Sequence, residues 1–120
     1  MILNSLALAY LGDAIYELYI RKYLLSKNIV KVKELQKEAI NYVSAKAQAK
    51  FLNYMIESNF LTDNELDIVK RARNHKSHSS KSTDIITYKY STGLEALIGH
   101  LYLENNNTRI EEIMNFILEG

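Results

Sequence analysis

The chain has 120 residues, 48% of them hydrophobic and 24% charged, with a formal net charge of +1. That length suits one domain, and that balance excludes wholesale disorder. Cysteine and proline are both absent, which excludes a disulfide scaffold and thiolate metal sites and favours helix. With the charge so near zero, any nucleic-acid footprint must be a local patch. The most apolar stretch, residues 2–20, is interrupted by Asn4, Asp13 and Glu17, so no membrane span is expected. It also lacks a basic leader and a small-residue cleavage site, which makes the cytoplasm the expected compartment.

Helical periodicity runs along the chain. A first helix is expected over residues 5–25, capped by Asn4 or Ser5, with Leu6, Tyr10, Leu11, Ala14, Ile15, Leu18 and Tyr19 at helical spacing. At that spacing Tyr10, Tyr16, Tyr19 and Tyr23 read as core or interface residues. A second helix follows over residues 33–42 and a third over 44–57, either bent or continuous at Tyr42-Val43-Ser44. Thr62 and Glu65 have the spacing of a capping box and open a fourth helix over residues 63–73. Residues 74–83 are polar and serine-rich and read as a loop. A fifth helix starts at Asp84 or Ile85 and runs to residue 103. Thr108 and Glu111 repeat the capping-box spacing ahead of a sixth helix over residues 108–118. No strand is expected, so the fold class is all-α, one domain of about six helices.

Two helices carry acids among apolar neighbours. In the first, Asp13 and Glu17 share a face, and Gly12 sits mid-helix, where glycine costs about 1 kcal/mol against alanine. In the fifth, Glu95 lies between two further glycines, Gly93 and Gly99. Glycine at such positions points to close approach by another backbone or a ligand. Two helices crossing at their glycines would bring Asp13 and Glu95 together. Facing carboxylates repel, and a divalent cation such as Mg²⁺ or Mn²⁺ relieves that with oxygen ligands and waters. Spacing alone favours the ordinary reading, in which these acids lie on solvated faces or pair with Lys or Arg.

Lys70, Arg71, Arg73, Lys76 and Lys81 fall in a stretch with no acid between Ile68 and Thr83. With Asn74 and the serines they supply the groups that contact phosphate, although a solvated helix end has the same composition. Lys89, between Tyr88 and Tyr90, either reaches a phosphate or snorkels from its helix. His75 and His78 lack the companions a metal site needs and read as surface residues.

Leu11-Gly12-Asp13-Ala14 resembles the signature helix of the ribonuclease III family, and Leu94-Glu95-Ala96-Leu97-Ile98-Gly99 resembles its second acidic helix. Val43-Ser44-Ala45-Lys46-Ala47-Gln48-Ala49, Arg71-Ala72-Arg73-Asn74 and Tyr88-Lys89-Tyr90-Ser91-Thr92-Gly93 resemble the compact bacterial members, the Mini-III subfamily. The resemblance implies one ribonuclease III-type catalytic domain over residues 1–120, without a double-stranded-RNA-binding domain. It implies hydrolysis of phosphodiester bonds in double-stranded RNA by a homodimer. Asp13 and Glu95 would be the catalytic residues and the ligands of Mg²⁺, with Mn²⁺ as a substitute. The RNA contacts would be Lys70, Arg71, Arg73, Asn74, Lys76, Lys81 and Lys89. The implied substrate is the precursor of 23S ribosomal RNA, cut at its ends, with a ribosomal protein as a further partner to consider. Ala9 and Thr92 stand where typical members of the family carry a glutamate and an aspartate, which matches the compact subfamily and leaves fewer ligands per metal. The rival readings are a non-catalytic RNA-binding factor in ribosome assembly on the same fold and a helical protein-interaction domain docking through its apolar first helix.

Overall fold

The computed structural model describes residues 3–74 and 84–119. Among them lie six helices and no strand: α1 (Ser5–Ser26), α2 (Val32–Val43), α3 (Ala45–Glu57), α4 (Asp63–Arg73), α5 (Ile85–Leu103) and α6 (Asn107–Glu119). The all-α expectation holds, and apart from the start of α6 each boundary falls within one residue of its expected place.

Side-chain chemistry sets those boundaries. The Asn4 side chain accepts from the Ala7 N–H at 2.8 Å and starts α1. Ser44 settles the α2–α3 junction as a bend, because its backbone is extended and its hydroxyl accepts from the Ala47 N–H. The capping box of Thr62 and Glu65 is formed in both directions. The second expected box is not the start of α6. Asn106 accepts from the Arg109 N–H at 3.2 Å, so the helix begins at Asn107 and Thr108 lies inside it. Three helices end beside an asparagine in the left-handed region, Asn28, Asn59 and Asn105. At such stops asparagine takes the conformation usually given to glycine.

Helix α5 is the centre of the fold, with Leu94, Ala96, Leu97 and Ile98 fully buried. It packs on α1, α3, α4 and α6. Tyr16, Ile20, Leu52, Met55, Ile110 and Ile113 complete the core around it. Helix α2 buries no residue fully and lies on the outside. Helix α1 is apolar around most of its circumference. Tyr16 is in the core and Tyr19 and Tyr23 are half-buried, but Tyr10 is 86% exposed, with Leu6 and Leu18 also open to solvent. For Tyr10 the core reading is therefore wrong and the interface reading remains. No described helix is long and apolar enough to cross a membrane.

Candidate active site

The site starts from two glycines. A Cβ on Gly12 would stand 2.6 Å from the carbonyl carbon of Glu95 and 2.9 Å from the amide nitrogen of Gly99. A Cβ on Gly99 would stand 2.9 Å from the carbonyl carbon of Leu8. Both distances are shorter than real contacts allow, so α1 and α5 cross backbone to backbone only because these positions have no side chain. Gly93 serves a different contact, against Val69 of α4.

This crossing sets the carboxylates of Asp13 and Glu95 within hydrogen-bonding reach of one another. Asp13 opens to solvent and Glu95 is half-buried. Burial first, and then the neighbouring Asp13 carboxylate, push the Glu95 pKa up to about 8. Glu17 adds to the same push from farther along α1. Its own carboxylate is paired with Arg21 at 2.9 Å, which gives it a structural partner. The arrangement opposes ionising both acids together, and a proton or a cation resolves that conflict. Among the described residues, no group of three or more His, Cys, Asp or Glu forms a metal cage. Two carboxylate ligands and an open side suit Mg²⁺, which keeps several waters and binds through one or two carboxylates plus substrate phosphate.

The positions that depart from the typical family pattern are occupied by packing. Ala9 is 6% exposed and sits with Ala72 and Ala96 in a buried cluster of methyl groups. Thr92 is also buried, and its hydroxyl donates to the Tyr88 carbonyl at 3.0 Å.

One polar residue at the site was not among the candidates from sequence. Gln48 of α3 is 2% exposed. Its Nε2 donates to the Val43 carbonyl at 3.0 Å and faces Glu95 Oε2 at 3.4 Å. The available signal was a lone amide on an apolar helix face. Nearby, the buried Tyr16 hydroxyl donates to the Tyr42 carbonyl at 2.6 Å, and burial together with the Glu95 charge raises its pKa.

The basic candidates divide. Ala72 packs against Ala9 and Ala96, which brings the end of α4 beside the helix turns that carry the carboxylates. Arg73 lies over the Tyr90 ring, 5.3 Å from its centroid, and its Nη1 is 3.4 Å from the Tyr90 hydroxyl. Arg71 points the other way. It pairs with Asp67 at 3.3 Å and lines a hollow with Leu3, Leu8 and His100. Lys70 is exposed, and Asn74 forms the C-cap of α4. Lys89 is half-buried. At about 100° per residue, it and Glu95 lie on different faces of α5. Lys76, Lys81, His75 and His78 lie outside the described residues.

The sequence matches the model of the ribonuclease III domain over residues 6–106. The chain belongs to the ribonuclease III family, and it is an endoribonuclease. Its similarity within that family is to the Mini-ribonuclease 3 proteins. That of Enterococcus faecalis is 48% identical over 118 residues, covering 98% of this chain and 89% of the relative. That of Streptococcus pneumoniae is 43% identical over 119 residues, covering 98% and 93%. The crystal structure of a Fusobacterium nucleatum protein, 38% identical, superposes with a TM-score of 0.88 over 98% of this chain and 94% of that one. Ribonuclease III enzymes act on double-stranded RNA. The family's activity sides with the catalytic reading over the helical interaction domain.

Proposed function

We propose that this chain is a Mg²⁺-dependent nuclease that cuts double-stranded RNA at the Asp13–Glu95 pair, as a cytoplasmic homodimer maturing the ends of 23S ribosomal RNA precursor. The observation that carries the reading is the glycine-mediated crossing of α1 and α5, which holds two carboxylates together on helices with no basic partner for Glu95 among the described residues. Asp13, exposed to solvent, and Glu95, half-buried, would hold a Mg²⁺, which would supply an activated water and charge neutralisation at the phosphate oxygens. Arg73, over the Tyr90 ring of α5, is the RNA contact best placed to steer the phosphate backbone. Lys70, Arg71, Asn74, Lys76, Lys81 and Lys89 are the further contacts the resemblance implies.

The apolar strip of Leu6, Tyr10 and Leu18 on α1 supports pairing with a second copy. A large aromatic ring left almost wholly in water is an interface anchor in waiting. Two copies present two basic surfaces to one duplex and raise its effective binding. The ribosomal RNA substrate and a helper ribosomal protein rest on the family resemblance. The direct test incubates the protein with duplex RNA and with a 23S precursor, in Mg²⁺ and in EDTA. Metal-dependent cutting of the precursor at its ends is expected. An intact precursor beside a cut generic duplex would reject the ribosomal assignment, and no cutting of either would reject the metal-dependent reading.

A further inference from the structure

We infer that Gln48 is a positioning residue, which fixes the Glu95 carboxylate for metal binding and is itself held in register by the α2–α3 junction. This rests on the reading of Glu95 as a metal ligand and extends it to a third helix.

The orientation of the amide carries the inference. Gln48 Nε2 meets two acceptors, the Val43 carbonyl at 3.0 Å and Glu95 Oε2 at 3.4 Å. A flipped amide would set its oxygen against a carbonyl and lose the bond. The shorter Val43 contact therefore decides which end of the amide faces Glu95. The side chain becomes an obligatory donor to one carboxylate oxygen and leaves the other for the cation and Asp13. Metal-binding carboxylates are commonly oriented by such outer hydrogen bonds.

The junction is built to hold this register. Tyr42 and Val43 end α2, and the Tyr16 hydroxyl pins the Tyr42 carbonyl while Gln48 pins the next one. Ser44 turns the chain and caps α3. The position also carries a cost that core packing does not explain. Gln48 Oε1 is buried with no hydrogen-bond partner, among the described residues the one buried side-chain polar atom so left. A methionine would fill the same space without it, and an unsatisfied buried polar atom asks for a functional reason. The competing role is purely structural, a side chain that satisfies the last carbonyl of α2.

The test compares the full chain with Gln48→Met, Gln48→Asn and Asp13→Asn. Mn²⁺ binding is titrated by electron paramagnetic resonance, the Mg²⁺ half-saturation of duplex cleavage is measured, and thermal unfolding is followed without metal. Positioning predicts that Gln48→Met unfolds cooperatively and binds duplex in EDTA as the parent does. Its Mn²⁺ affinity falls about tenfold to a hundredfold, and its Mg²⁺ half-saturation rises by the same factor. Should Gln48→Met fail to fold, Gln48→Asn, too short to reach both acceptors, gives the same readout. Unchanged metal affinity, with or without a loss of thermal stability, overturns the inference in favour of the carbonyl-satisfying role. Asp13→Asn separates the two layers. If it loses Mn²⁺ while the Gln48 variants keep it, the inference alone fails. If it too binds as the parent does, the carboxylate pair is wrong and the inference goes with it.

Discussion

Arg71 and Arg73 are separated by one residue and differ in what their charge is worth. The Arg71 guanidinium is shared with Asp67 on an exposed surface. Arg73 rests on the Tyr90 ring, which aims the charge without neutralising it. Arg73→Ala should therefore weaken duplex binding and reduce the slope of log affinity against log salt by about 1. Arg71→Ala should do less, because Arg71 lines the hollow of Leu3, Leu8 and His100 instead of facing α5 beside the carboxylates. Binding titrations across a salt series check this, and a larger loss at Arg71 would place the RNA face on the Leu3–Leu8–His100 side. At this scale the meeting of Asp13 and Glu95 was open to reading in the mid-helix glycines of their helices, but spacing alone favoured solvated or paired acids, and it was the family resemblance that singled the two out. Gln48 was not legible, since its burial exists only once α3 is laid against α5. The opposite aims of Arg71 and Arg73 likewise depend on which face of α4 meets Ala9 and Ala96.

The helices were legible where a local chemical signal starts them. Asn4, Ser44, Thr62 and Asp84 all act as caps at expected starts. The error at α6 has a local cause. Two cap candidates stand two residues apart, and the asparagine that comes first in the chain captures the helix end. The pairing of α1 with α5 was legible from glycines, and its closeness makes a sharp prediction. Gly12→Ala places a methyl group inside the α5 backbone. Overpacking of this kind costs about 1–3 kcal/mol or more, seen as a lower midpoint in denaturant unfolding. It should also push Asp13 away from Glu95, so cleavage should fall even where the protein remains folded. A variant with unchanged stability and unchanged cleavage would mean that the helices do not cross there.

Across the molecule, an ion pair between the buried Glu65 and the half-buried Arg109 ties α4 to α6. Arg109 Nε and Nη2 each meet the Glu65 carboxylate at 2.8 Å, and Nη2 also donates to the Phe60 carbonyl at 2.7 Å. Burial alone would raise the Glu65 pKa, but the hydrogen bonds from Arg109 and Thr62 outweigh it and hold it low. A depressed folded-state pKa stabilises fully above the unfolded value of about 4.3 and is lost as pH falls through the lower folded value. Glu65→Gln should flatten that acid limb of the stability curve. Arg109→Met should cost about 3–5 kcal/mol near neutral pH by stranding the buried carboxylate. Thermal unfolding between pH 2 and 7 checks both. This pair was invisible in the sequence, where Glu65 read only as half of a capping box and Arg109 carried no signal. The all-helical single fold was legible as a whole because period and caps are local, whereas ion pairs between distant segments exist only after packing.

The central claim is that Asp13 and Glu95 together form the cutting site. The most direct measurement is cleavage of a long RNA duplex by the parent and Asp13→Asn side by side in Mg²⁺, with unfolding and duplex affinity measured on the same preparations. The substitution removes one charge with almost no change in volume. The account predicts that cutting disappears while the fold and most of the duplex affinity remain. Cutting by Asp13→Asn at a rate near that of the parent would contradict it and move the active site elsewhere.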